Sequence, residues 1–203
     1  MTPTIHQKEI GFRHDFVKLK CFDYPINLNK VHLISESAGR QKNYILVENG
    51  KMPPDECIAI RTNRVLHVGT MTREMNEVAT QNIKCVDPSF CYVLTWPASE
   101  HADIDDIFGA AENGIEALGM IDHQYYITVH NHTKNIYCQV VINRIHPTTL
   151  KSQKIQWAEK MLHLTARESE IEYGWFNENG HYIVVQDESN KKHIICNPKF
   201  RSK

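Results

Sequence analysis

The stretch Tyr125-Tyr126-Ile127-Thr128-Val129-His130-Asn131-His132-Thr133-Lys134-Asn135-Ile136-Tyr137-Cys138-Gln139-Val140-Val141-Ile142-Asn143 decides the fold. Two aromatic and β-branched runs, Tyr125–His130 and Tyr137–Asn143, flank the polar segment Asn131–Asn135, and Pro147 stops the second run. Runs of this kind favour strands, and a short polar connection joins them as an antiparallel hairpin. Successive side chains on a strand point to opposite faces. Cys138, Val140 and Ile142 therefore share a core-facing side, with Gln139 opposite.

On the N-terminal side, Phe90–Trp96 reads as another strand, stopped by Pro97. Ile104, Ile107, Phe108, Ala111, Ile115 and Leu118 follow helical spacing behind an acidic start, and Gly119 ends that helix. Arg64–Val68 reads as a strand closed by Gly69, and Thr72 as the cap of a helix running to about Asn82. Beyond Pro147 the pattern predicts a helix from about Ser152 to Glu170, then a small hairpin, Tyr182–Gln186 and Lys192–Cys196. The first sixty residues hold only short apolar runs, among them Val31–Ile34 and Tyr44–Val47, broken by Gly39, Gly50 and Pro53–Pro54. This order predicts an α+β fold, an antiparallel sheet flanked by helices. The expected organisation is a main domain over 1–175, with an N-terminal part to 60 and a motif-bearing core over 60–175. A small β-hairpin and basic tail follow over 176–203.

A chain of 203 residues, 41% apolar and 23% charged, suits one domain with appendages. No apolar run approaches the roughly 20 residues of a membrane helix, and the opening residues lack a signal-peptide core, so the expected location is the cytoplasm. Six cysteines without a C-x-x-C pair argue for free thiols. Lys and Arg number 23 against 24 Asp and Glu, for a net charge of −1. A nucleic-acid binder with that balance needs its positive charge concentrated locally. Lys191, Lys192, Lys199, Arg201 and Lys203 concentrate it in the tail.

The segment Val129–Pro147 resembles the central motif of conjugative relaxases, the plasmid mobilisation endonucleases, whose pattern runs approximately V-H-x-D-T-D-N-x-H-x-H-x-x-x-N-R-x-H-P. This chain keeps His130, Thr133, Asn135, Asn143, Arg144, His146 and Pro147. With its flanks the resemblance covers about residues 60–175 and is similar to the IncI-plasmid nickases of the VirD/TraI-type lineage. It implies a relaxase fold of the HUH-like kind. It also implies a divalent ion (Mg, Mn or Zn) held by three ligands, polarising a scissile phosphate. A tyrosine attacks that phosphate and remains joined to the DNA. The implied partners are single-stranded DNA at a transfer origin and relaxosome accessory proteins.

The chain departs from the pattern at the ligands. Tyr137 and Gln139 stand where the family has histidines at i and i+2, and His132 and Lys134 replace the two acidic residues. One branch of the family uses His, Glu and Asn at the three places, so the resemblance implies His130, His132 and Gln139 as the ligand set. Lys42–Glu48 is similar to the short segment bearing the family nucleophile, which implies Tyr44 in that role with Tyr24 behind it. Asn135, Asn143, Arg144, Lys191 and Lys192 are the expected DNA contacts. Trp96 and Trp157 read as packing residues.

The resulting expectation is a DNA-nicking endonuclease acting in conjugation. The rival is a degenerate paralogue that binds single strands or relaxosome partners without cleaving. A third reading, a metal-independent phosphodiesterase, uses His130 and His132 as acid and base.

Overall fold

The computed structural model describes residues 57–131, 135–175 and 180–200, and the backbone of two strands ahead of them. Six strands form one antiparallel sheet in the order β1-β2-β3-β5-β6-β4. They are β1 (Val31–Leu33), β2 (Tyr44–Val47), β3 (Cys57–Asn63), β4 (Ser89–Trp96), β5 (Tyr125–His130) and β6 (Ile136–Asn143). The β5–β6 hairpin forms as the sequence implies, and β4 pairs with β6 along its whole length, from Ser89 opposite Asn143 to Trp96 opposite Ile136. Every residue of β5 is buried, which places that strand at the centre of the fold.

Helix α2 (Ile104–Ala117) covers one face of the sheet, joined by α3 (Ala158–Glu172). Ile107, Phe108, Ala111 and Ile115 of α2 meet Leu162 of α3 and the strand residues Tyr92, Leu94, Ile127, Val129, Cys138, Val140 and Ile142. Each fully buried side chain of this size contributes about 1.5–3 kcal/mol, so this layer holds the domain together. Asp105 and Asp106 complement the start of α2. At its other end Gly119 turns at φ +71°, with Met120 N–H donating to Ile115 C=O and Gly119 N–H to Glu116 C=O. A left-handed glycine with these two bonds is a Schellman stop.

Helix α1 (Met71–Ala79) lies on the opposite face, where Met71, Met75 and Ala79 pack on Cys91, Tyr126, Val141 and Ile145. The sheet is therefore flanked on both sides. A separate two-stranded sheet, β7 (Tyr182–Gln186) with β8 (Lys192–Cys196), packs against α3.

Four expectations change, the first being the cap of α1, which is Thr70, with Thr72 inside the helix. Arg64–Val68 is not a strand: β3 ends at Asn63, and Arg64 turns the chain at φ +51° into a 3-10 turn over Val68–Thr70. Helix α3 starts at Ala158 instead of Ser152, because Trp157 sits at φ +59° and Gln153 is held elsewhere, its N–H donating to Arg144 C=O and its Nε2 to Leu118 C=O. Trp157 itself is 78% exposed and so is no packing residue, whereas Trp96 is fully buried. No helix among the described residues is long and apolar enough to cross a membrane.

Candidate functional site

Register aligns the candidate residues in rows across the sheet. Thr128 pairs with Ile60 on one side and Gln139 on the other, and Gln139 pairs with Val93. In the next row His130 pairs with Cys57 and Tyr137, and Tyr137 with Thr95. Directly paired residues share a face. Positions 130, 137 and 139 therefore stand together on the face that α1 covers further along, at Tyr126 and Val141.

His130 is only 6% exposed. Its Nε2 lies 3.0 Å from Thr128 Oγ1, and its ring stacks on Tyr137 with centroids 4.9 Å apart and planes 11° from parallel. Tyr137 thus fills a place where the family has a metal-binding nitrogen and lies flat on the remaining imidazole. Gln139 is half-buried in the neighbouring row. Cys57, across from His130, gives its S–H to Ala59 C=O, and burial pushes its thiol up to about 12, so no thiolate forms there at neutral pH. Among the described residues, no three His, Cys, Asp or Glu donors converge at this place. His132 lies outside the described residues. Among the described residues this face offers one imidazole, an amide and a hydroxyl, fewer nitrogens than a three-ligand divalent site takes.

The register also joins the backbone of β2 to the central strands. Tyr44 pairs with Arg61, and Arg61 with Ile127. Arg61 lies 4.3 Å over the Phe108 ring of α2 and bonds Glu112 at 2.7 Å, so this row belongs to the α2 side of the sheet. The row containing Thr128 and Gln139 runs through Ile60 to Ile45 instead. The Tyr44 side chain lies outside the described residues. Tyr24 lies outside the described residues.

Two of the three motif residues expected to contact DNA, Asn143 and Arg144, make their described bonds within the fold. Asn143 is fully buried. Its amide donates to Met75 C=O at 3.0 Å and Gln124 Oε1 at 3.1 Å, and its Oδ1 accepts from Ile145 N–H at 3.0 Å. Arg144 donates to Asp87 C=O and, from two nitrogens, to Gln153 C=O, with the Asp87 carboxylate 3.6 Å away. His146 Nδ1 accepts from the N–H groups of Thr148 and Thr149, and its ring meets His123 edge-on at 5.1 Å. His123 Nδ1 in turn lies 2.8 Å from Asn143 C=O, and burial holds its pKa below the ordinary range. The Asn-Arg-x-His-Pro signature ties the end of β6 to α1, β4 and the following loop. It is a structural clasp.

Asn135, Lys191 and Lys192 are exposed, as a backbone-contacting role needs. Asp187 organises the β7–β8 turn beneath the two lysines. It accepts from Ser189 Oγ–H, from the N–H groups of Ser189 and Lys191, and from His193 Nε2, and these bonds hold its carboxyl well below the usual range.

Two groups escaped the sequence reading. Arg61, Glu112 and Tyr125 form a hydrogen-bonded set between β3, α2 and β5 that no local pattern signals. Glu159, His163 and His181 bring their donor atoms within 4.8 Å of one another. A Glu four residues ahead of a His on a predicted helix was the available sign of the second group.

A central hairpin with positions 130, 137 and 139 on one face, backed by two helices, has the layout that the resemblance to relaxases implies. The chain belongs to the relaxase family: the family described as "Relaxase: MobA/VirD2-like, nuclease domain" matches residues 44–175. It is similar to "Protein MobA" of Acidithiobacillus ferrooxidans, 31% identical over 124 residues, covering 59% of this chain and 30% of that protein. It is also similar to "Protein TraI" of Escherichia coli, 27% identical over 93 residues, covering 46% of this chain and 12% of that protein. The match thus spans less than a third of either relative. No solved structure matches the chain.

Proposed function

We propose that the chain is a DNA-processing protein of mobilisation that holds a single strand at a transfer origin without cutting it efficiently. The observation that carries this reading is the stacked pair His130–Tyr137, with Nε2 of the histidine 3.0 Å from Thr128. In-line attack on a phosphodiester needs the developing charge stabilised at the moment of transfer. Here the only imidazole at positions 130, 137 and 139 is buried and its ring faces a phenol. Binding asks less: exposed donors and cations along the backbone suffice for single strands. Asn135, Lys191 and Lys192 fill that role, and relaxosome accessory proteins are the expected company.

A second reading, the tyrosine nickase, is favoured by the family match itself, which begins at Tyr44 and carries the description of a nuclease domain. On this reading Tyr44 or Tyr24 attacks and remains joined to the strand, with a Mg, Mn or Zn ion near His130, His132 and Gln139. Incubating the protein with a labelled transfer-origin strand separates the two: the first gives a complex that dissociates on denaturation, the second a band that survives it. Tyr44→Phe and Tyr24→Phe then identify the attacking hydroxyl if such a band forms.

A further inference from the structure

We propose that Glu159, His163 and His181 form a binding site for a divalent transition metal of the zinc class, which fastens the β7–β8 hairpin to α3. This place lies away from positions 130, 137 and 139 and does not rest on the reading given above.

Glu159 and His163 stand one helical turn apart at the start of α3, a spacing that puts their side chains next to each other. Glu159 Oε1 lies 4.0 Å from His163 Nε2. His181 arrives from the residue before β7, with its ring centroid 5.6 Å from that of His163 and the planes tilted by 52°. All three donor atoms fall within 4.8 Å of one another. Tetrahedral zinc, with bonds of about 2.0–2.2 Å, separates its donors by roughly 3.4 Å, so the set must close by about 1 Å. Glu159 and His181 are exposed and His163 half-buried, so two of the three side chains have solvent room to make that movement.

Two imidazoles and one carboxylate are a donor set that suits zinc and leaves a fourth position for water. Metal binding needs the imidazoles neutral. Burial already lowers the pKa of His163, with the neighbouring His181 and Arg167 acting in the same direction and Glu159 against. The consequence is mechanical. The hairpin backbone is tied at its base by Asn197, whose N–H donates to His181 C=O and whose amide donates to Gly180 C=O. An ion on His181 therefore grips the hairpin at that base and fixes the exposed Lys191 and Lys192 relative to α3.

The test is a calorimetric Zn²⁺ titration of the full chain, with His163→Gln, His181→Gln and His130→Ala beside it. We expect one site in the wild type that persists in His130→Ala and weakens on the order of a hundredfold in either glutamine variant. Hydrogen exchange in β7 and β8 should slow when Zn²⁺ is added to the wild type, and not in His181→Gln. His181 is exposed, so its variant should fold, which circular dichroism checks. Absence of zinc binding, binding untouched by His163→Gln and His181→Gln, or binding lost in His130→Ala would each overturn the proposal. Zinc binding that leaves hairpin exchange unchanged would overturn the fastening role.

Discussion

Replacing Asn143 by alanine separates a fold-holding residue from a DNA contact. The side chain is fully buried and makes three hydrogen bonds, to Met75 C=O, Gln124 Oε1 and Ile145 N–H. Alanine removes all three and strands Gln124 Oε1 and the Ile145 N–H in a dry interior, while the Met75 carbonyl keeps its place in the α1 ladder. Each bond contributes about 1 kcal/mol net, and a buried group left unsatisfied costs about 1–3 kcal/mol. Gln124 keeps the bond its Nε2 donates to Arg64 C=O, but that bond does nothing for its Oε1. The expected destabilisation is therefore about 3–4 kcal/mol, or a fall in Tm of roughly 6–15 °C for a chain of this size. Urea unfolding followed by circular dichroism measures the first quantity, and polarisation of a labelled single strand at low temperature measures affinity in the folded fraction. Stability should collapse while affinity per folded molecule stays within a few-fold. Unchanged stability with lost affinity would refute the structural assignment and return Asn143 to the DNA interface.

Lowering the pH should destabilise the protein through His123 and His163, both held below the ordinary histidine range chiefly by burial. The unfolded chain takes up protons near pH 6.5 that the fold resists, so their contribution is complete above that pH and is lost as pH falls toward the folded values; a Tm flat from pH 7.5 to 5.5 would contradict this. Gly114→Ala should cost about 1–3 kcal/mol, because its Cβ would meet Tyr92 Oη at 2.6 Å and Leu162 Cδ2 at 3.1 Å inside a packed layer; thermal melting reads the change. Lys191→Ala with Lys192→Ala should flatten the salt dependence of single-strand binding by about 1.4 in the log–log slope, if each lysine meets one phosphate. An unchanged slope would place the contacts elsewhere.

Local pattern carried much of the architecture. Phe90–Trp96, Tyr125–His130, the helix ending at Gly119 and the tail hairpin all follow from alternation, helical spacing and turn residues. The true place of the strand before α1 is hidden because Cys57–Asn63 lacks strict alternation, and the left-handed turn at Arg64 has no glycine to announce it. The late start of α3 is hidden for a similar reason, since Trp157 is an unexpected residue at positive φ. The shared face of positions 130, 137 and 139 was legible from strand periodicity. The stacking of Tyr137 on His130 was not, because a substitution pattern does not say how two rings settle. Least legible was the clasp: Asn143 finds Met75 sixty-eight residues away, and only the assembled sheet shows that pairing.

Loss of efficient cleavage is the central claim, and a denaturing gel tests it most directly. Labelled single strands tiling the transfer origin are incubated with the protein and Mg²⁺, Mn²⁺ or Zn²⁺, and each sample is run before and after denaturation. The account predicts a retarded complex in the native gel, and full-length, protein-free DNA after denaturation with every ion. A shortened strand with protein attached, absent from a Tyr24→Phe, Tyr44→Phe double variant, would contradict it.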